Sequence, residues 1–503
     1  MAAQIPRSPP TGPQRNGHHA RARSKPVRIL ALVLMTGLGC ASRAQGHHGP
    51  PDDERVTFAP DPALVLALED TLAFAARQAE VTRQMVERTE AGGARLYPES
   101  TAEDGSWRMK PVDRWISGMF PGVLWQLYAH TGRPSWREAA MAWTTPLEAM
   151  IDNPIDHDQG FRFCLTFGNG LAMSSDADDP GAVFRTRAHQ FLVRAAKALD
   201  ARRFNQGGIR AGAMRSLDDY PPGAHYPVFV DSMMNLCLPL LAFSLEGRPA
   251  TGPVRLLYEH ALEQAATILT QHMRSNGSTY HIVEHNDGVG GLPADGQVLR
   301  KMTVQGFAPE STWSRGQAWA LYGFAMVYRY TRTDPGADPL RFREAATKAA
   351  DYFTRRLPTH DTTDTWNHTP GDFVPPADFD AALGEPDGPW STHTPGRRTR
   401  TRRDSSAAAI AAAGMLELAP LLAPDARSLG YFRTAESILR TLVTYRGLDG
   451  QLAYLGKGSI HQGILIDGAL SLDHPVPNGS TIIGDYYFLD AARRYLGLTG
   501  AHR

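Results

Sequence analysis

The sequence predicts an all-α chain closed into an (α/α)6 toroid, and three observations carry that expectation. From Leu64 to Leu496, apolar periodicity punctuated by Gly and Pro marks twelve helical segments, with no β-rich domain between them. These segments alternate between amphipathic and almost uncharged, as helices with one wet face alternate with helices enclosed on most sides. Six such hairpins close most simply as six parallel inner helices with six outer helices returning.

The segments fall at roughly 63–90, 116–131, 135–151, 161–175, 183–201, 232–246, 253–274, 315–331, 339–356, 404–422, 427–446 and 482–497. Odd-numbered segments such as VRLLYEHALEQAATILTQHM, from Val254, carry charges opposite an apolar stripe and belong outside. Even-numbered ones, among them SMMNLCLPLLAFSL and SSAAAIAAAGMLEL, belong inside. Ahead of the first segment, Arg7, Arg15, Arg21, Arg23, Lys25 and Arg28 precede the apolar run ILALVLMTGLGCA and the small-x-small site Ser42-Arg43-Ala44. Residues 1–44 therefore read as a bacterial secretory signal, too short in its apolar run to span a bilayer, with export to the periplasm or beyond. Gly37 and Leu38 do not give a lipoprotein box ahead of Cys40. Residues 45–60 follow as a linker, and 61–503 as one catalytic domain.

Charge and cysteine usage exclude several classes. Lys+Arg and Asp+Glu both total 52 in 503 residues, so no overall field favours nucleic acid or an acidic membrane surface, and the mature chain carries no expected membrane span. Cys40, Cys164 and Cys237 lack paired spacings; Cys164 and Cys237 read as small core residues. No metal or cofactor is expected: His157-Asp158 has no third ligand at helical or loop spacing.

Parallel inner helices have a chemical consequence. Their N-terminal ends open at one mouth, so the residues ahead of each even-numbered segment converge there. Those are Trp115, then His157 and Asp158, then Asp231, then Gln305, Glu310, Trp313 and Arg315, then Arg403 and Asp404, with Asp485 opening the last. Asp231 stands out, as a lone carboxylate between the strand-like Val228-Phe229-Val230 and an uncharged helix broken or begun near Pro239. Its plain reading is a helix N-cap. Indole faces stack on sugar rings while carboxylates and Gln contact hydroxyls, so the mouth suggests a carbohydrate site, and Arg315 and Arg403 favour an acidic sugar through bidentate contacts. The run Arg397 to Arg402 reads as a solvated loop.

Six motifs resemble the unsaturated glucuronyl hydrolases, glycoside hydrolase family 88. They are WISGMFPGVLW (115–125), HDQGFRF…TFGNG (157–170), VDSMMNLCLPLL (230–241), TVQGFAPESTWSRGQAWALYGF (303–324), RDSSAAAIAAAGMLEL (403–418) and GDYYFLDA (484–491). The resemblance implies the same toroid and an unsaturated uronyl oligosaccharide as substrate. By motif, Asp231 would be the general acid/base and Asp158 the second essential carboxylate. Trp115, His281, Gln305, Trp313, Arg315 and Trp319 would lie at substrate-contacting positions. The chain departs from the family at GGLPAD (290–295), at Ala377 where a Trp is usual, and in the long run from Gly384 to Arg402.

The implied chemistry is hydration of an enol ether. Protonation at C4 of the unsaturated sugar leaves an oxocarbenium-like C5, water adds there, and the hemiketal opens to release the aglycone, with Asp231 as acid and then base. A conventional glycosidase would need a carboxyl pair about C1 instead. Asp231 must then hold a proton, so desolvation and the charge of Asp158 are expected to raise its pKa against the helix N-terminus. Two other readings stand beside this one: an unsaturated rhamnogalacturonyl hydrolase of the same fold, and a non-catalytic glycan-binding toroid. For Lys457 and Ser459, the readings are a sulfate contact or a plain turn, with the turn preferred.

Overall fold

The computed structural model describes residues 56–89, 95–151, 156–174, 179–201, 224, 226–288, 296–358, 371–381, 403–447, 449–471 and 479–501. The expected secretory signal, Cys40, the GGLPAD run and the basic run 396–402 lie outside these.

The helices follow the expected segments closely. Along the chain come α1 (Pro62–Thr89), the hairpin β1 (Tyr97–Thr101) and β2 (Trp107–Lys110), α2 (Met119–Thr131) and α3 (Pro134–Thr144). Then follow α4 (Gln159–Phe163), α5 (Asn169–Met173), α6 (Asp179–Ala201), β3 (Pro227–Phe229), α7 (Ser232–Asn235), α8 (Cys237–Leu245) and α9 (Pro253–Thr267). After β4 (Ile282–His285) and β5 (Val298–Met302) come α10 (Ser314–Thr331), α11 (Pro339–Arg355), α12 (Ser405–Leu422), α13 (Ala426–Thr444) and α14 (Ile482–Leu498).

Packing closes the ring. α2 touches α5, α4 touches α7 and α8, these touch α10, α10 touches α12, α12 touches α14, and α14 returns to α2. These inner helices are buried around their circumference; from Ser405 to Ala419 every residue of α12 is buried. That helix alone among the described residues is long and apolar enough to cross a membrane, and here it is an inner stave of the barrel. The outer helices are half-wet: α11 buries Phe342, Ala345, Ala346, Ala349, Ala350 and Phe353 along one stripe. The chain is thus an (α/α)6 toroid.

Two inner staves are broken, each for a visible reason. Between α7 and α8 the helix turns at Leu236, because Pro239 has no N–H to give the carbonyl four residues earlier. Between α4 and α5 a π-helical turn, Cys164–Gly168, interrupts the stave. These two breaks face one another, and the structure corrects the reading of their cysteines. Cys164 and Cys237 form a disulfide, with Cα atoms 6.5 Å apart across a separation of 73 residues. The pairing joins positions in two different helices, which no local spacing reveals. A crosslink of this kind contributes typically ~2–4 kcal/mol.

Among the described residues, strands occur only as small sheets in the connections, β1 with β2 and β3-β4-β5 in that order, all antiparallel. The second positions the site. Its register sets Phe229 opposite Ile282, and Val230 N–H donates to His281 O at 2.9 Å. Asp231 therefore emerges from the strand beside His281.

Candidate active site

Asp231 does not cap its helix. Its backbone is already helical (φ −61°, ψ −22°), and its side chain accepts no N–H from the first turn. A cap needs the extended backbone that Asp404 adopts (φ −128°, ψ 93°), whose Oδ1 accepts from Ser406 N at 3.0 Å and Ala407 N at 3.3 Å. The residue is partly exposed, yet Oδ1 is covered and has no hydrogen-bond partner. Desolvation raises its pKa to about 6, opposed chiefly by the Arg315 guanidinium.

Asp158 closes the other side. It lies at the head of α4 with 8% exposure, and Oδ1 accepts from Asn235 Nδ2 at 3.1 Å and stands 3.2 Å from His157 Nε2. Burial, then the charge of Asp156, holds its pKa well above the ordinary carboxylate value; Arg162 opposes this, and Asp231 adds to it. The charge of Asp231 raises Asp158 further, while burial accounts for the rise at Asp231. Burial and the Asp156 charge thus favour the protonated form of Asp158.

Aromatic rings connect the remaining positions. Trp115 meets Phe161 edge-on at 5.5 Å, Phe161 meets Trp319 at 5.0 Å, and Trp319 meets Tyr487 at 5.0 Å. On the other flank His157, Phe229, His281 and Trp313 run in series at 5.8, 5.3 and 4.4 Å. Among the three expected indoles only Trp115 keeps a partly open face; Trp313 and Trp319 are 3% and 1% exposed and back the wall instead. His281 is held by Thr303 Oγ1 at 2.9 Å through Nδ1, leaving Nε2 covered and without a partner. Burial, reinforced by the Arg315 charge, lowers its pKa to about 3, so it is a neutral imidazole.

Arg315 departs from expectation. Its guanidinium is fully buried, stacked 4.6 Å from the Trp313 centroid, with Nη2 donating to Leu470 O at 2.6 Å and Nη1 turned to Ala469 O and Asp404. The fork is thus occupied by protein, and a bidentate sugar contact is not what it offers. Its positive charge is what reaches Asp231. Gln305 is tied to the same carbonyl, Nε2 to Leu470 O at 2.8 Å. Arg403 pairs with Asp372 at 3.3 Å, and Asp485 accepts from Ile464 and Leu465 N–H at 2.9 Å. Glu310 is exposed. These sit at helix heads as expected but brace loops. Ala377 is buried against Ala469 and Phe307, and its carbonyl accepts from Ser314. Lys457 pairs with Asp70 at 2.6 Å and Ser459 closes its own turn, as the turn reading anticipated.

Sequence reasoning passed over Asp156, Arg162 and Asn235. Arg162 donates to both Asp156 oxygens at 2.6 and 2.7 Å and to Asp113 O at 2.6 Å, and Asp156 Oδ1 accepts from Asp158 N at 2.9 Å. A single arginine in the apolar run FRFCLTFGNG was the available signal, because a buried guanidinium demands a carboxylate.

No protein-family model matches the chain. Over 414 residues it is 30% identical to an unsaturated glucuronyl hydrolase of Bacillus sp. (strain GL1), covering 80% of this chain and 92% of that protein. Over 391 residues it is 29% identical to an unsaturated glucuronyl hydrolase of Formosa agariphila, covering 76% of this chain and 80% of the other. Among solved structures it is similar to an unsaturated glucuronyl hydrolase specific for heparin, with TM-score 0.66, 27% identity, and coverage of 88% and 99%. It is also similar to the enzyme of Bacillus sp. GL1 responsible for the degradation of glycosaminoglycan, with TM-score 0.64, 26% identity, and coverage of 86% and 97%.

Proposed function

Since the chain belongs to the unsaturated glucuronyl hydrolases, and so is a glycoside hydrolase, we propose that it removes the non-reducing-end 4,5-unsaturated glucuronyl residue of lyase-generated oligosaccharides with Asp231 as proton donor. The observation that carries this reading is the covered, unpartnered Oδ1 of Asp231, on a carboxyl whose pKa is raised to about 6. Protonated Asp231 gives its proton to C4, and positive charge develops over C5 and the ring oxygen. Ionised Asp231 then takes a proton from the water that attacks C5. Opening of the hemiketal leaves a ketone at C5 and a hemiacetal at C1, which expels the aglycone as an alcohol; one water is consumed. Asp158 lines the same site, Trp115 offers its open face to a sugar ring, and the buried charge of Arg315 favours the uronate. Neutral His281 presents Nε2 to a hydroxyl.

The relatives act on different polymers, heparin for one and chondroitin disaccharides for others. A panel of unsaturated uronyl disaccharides, followed by loss of C4=C5 absorbance in the near ultraviolet, sorts these for this chain. Turnover by the wild type and none by Asp231→Asn is the expected result. No turnover of any member, pectin-derived fragments included, overturns the reading and leaves a glycan-binding toroid. We also propose export of the mature chain after cleavage near Ala44. The Cys164–Cys237 bond supports this, because disulfides persist in oxidising compartments.

A further inference from the structure

The two acids occupy matching places on neighbouring staves. Asp158 heads α4 and Asp231 heads α7, and six residues beyond each stands one half of the disulfide, Cys164 and Cys237. Between acids and disulfide lies a second tie. Asn235 is one helical turn past Asp231 and fully buried. Its Nδ2 donates to Asp158 Oδ1 at 3.1 Å, and its Oδ1 accepts from Phe161 N at 3.0 Å. A carboxamide donates from one end and accepts at the other without changing charge, so the residue type matches the task. The staves meet here without room to spare: a Cβ on Gly160 would lie 2.5 Å from Asn235 Cα. Asp158 is braced from behind by the Asp156–Arg162 pair, which touches no part of α7 in its hydrogen bonding. Asn235 is thus the direct hydrogen bond from the Asp231 stave to the Asp158 carboxylate.

We propose that Asn235 is a positioning residue that fixes where the Asp158 carboxyl stands relative to Asp231, with the Cys164–Cys237 disulfide fixing the same two staves one step deeper. The inference rests on the proposed reaction for its kinetic consequence, but not for its geometry. An amide kept only to satisfy a buried backbone N–H would leave the reaction's pH dependence alone; a positioning amide would not.

Three variants test it: Asn235→Ala, Asn235→Asp and the pair Cys164→Ala with Cys237→Ala, each checked for folding by circular dichroism. In Asn235→Ala, kcat is expected to fall by about 10- to 100-fold with KM within about twofold, since the acid is displaced and the sugar contacts remain. Its Asp158 carboxyl stretch, followed by infrared difference spectroscopy against Asp158→Asn, is expected to titrate at higher pH because a donor to the ionised form is gone. Asn235→Asp keeps the shape and, when protonated, the donor, so activity returns at acid pH and collapses as the new carboxyl ionises. The cysteine pair lowers kcat by less than Asn235→Ala, because the hydrogen bond survives. Unchanged kcat and unchanged Asp158 titration in Asn235→Ala, or an Asn235→Asp pH profile superimposable on wild type, overturns the proposal. A wild type that turns over no unsaturated uronide defeats the reaction instead, and the infrared titration still decides the role of Asn235.

Discussion

The two ends of the inner helices bury acids in opposite ways. At the mouth, Asp231 is desolvated with one oxygen unpartnered, and the nearest cation, Arg315, is itself committed to Ala469, Leu470 and Asp404. Twelve residues along α12 and α14 from their first residues, about 18 Å by helical rise, lie Glu417 and Arg494. There Glu417 pairs with Arg329 and Arg494, Arg494 Nε donates to Asp490 at 3.1 Å, and Tyr322 joins Asp490 to Arg494 through bonds of 2.7 Å. Burial alone would raise the Glu417 pKa, yet its two arginines hold it below the ordinary value. Burial raises that of Asp231, and Arg315 does not undo it. What separates Asp231 from Glu417 is therefore whether the nearest cation pairs with the carboxylate.

Substitutions at the two ends should fail differently. Asp231→Asn should lower kcat by ~10²–10⁴-fold with stability preserved, because it removes an uncompensated charge and a proton donor; kcat and denaturant midpoints check both halves. Glu417→Gln should do the reverse, costing ~3–5 kcal/mol by leaving buried Arg494 and half-buried Arg329 short of a counter-charge. Turnover per folded molecule should be unchanged, and a loss of turnover in a fully folded Glu417→Gln would break the comparison.

The pH dependence sharpens the same contrast. The proton-donating form of Asp231 is present below about pH 6 and is lost above it, so kcat/KM should fall as pH rises through that value. A rate profile flat from about pH 5 to 8 would contradict the assignment. The smallest effect is expected at Asp485, which burial raises from 3.8 to about 7 although Leu465 and Ile464 N–H pull it down. Its folded value exceeds its unfolded one, so stability is full below the unfolded value and declines as pH rises through about 7. Asp485→Asn should cut the stability lost between about pH 5 and pH 8 by at least ~1 kcal/mol in denaturant melts.

Periodicity made the staves legible because it is local. α10, α11 and α13 begin and end within a residue or two of the expected bounds, and alternation of charge told inner from outer. At the mouth the same reading placed the right helix heads but could not separate Asp231 from Asp404. Both are aspartates ahead of apolar helices; the β3–β4 pairing, formed with residues fifty positions on, decides which backbone is free to cap. The partners of Arg315 were illegible for a similar reason: its acceptors, Ala469 and Leu470, are carbonyls in a distant loop, and any residue type supplies a carbonyl. Cys164 and Cys237 were legible as buried, while their bond depends on two helix breaks meeting in space.

The most direct test of Asp231 as the unpartnered acid that protonates C4 is turnover in D2O with the product read by NMR. Hydration of the C4=C5 bond through Asp231 places one deuterium on C4 of the released 5-keto sugar, with turnover abolished in Asp231→Asn. Product carrying no deuterium at C4, or deuterated product formed by Asp231→Asn at the wild-type rate, would contradict it.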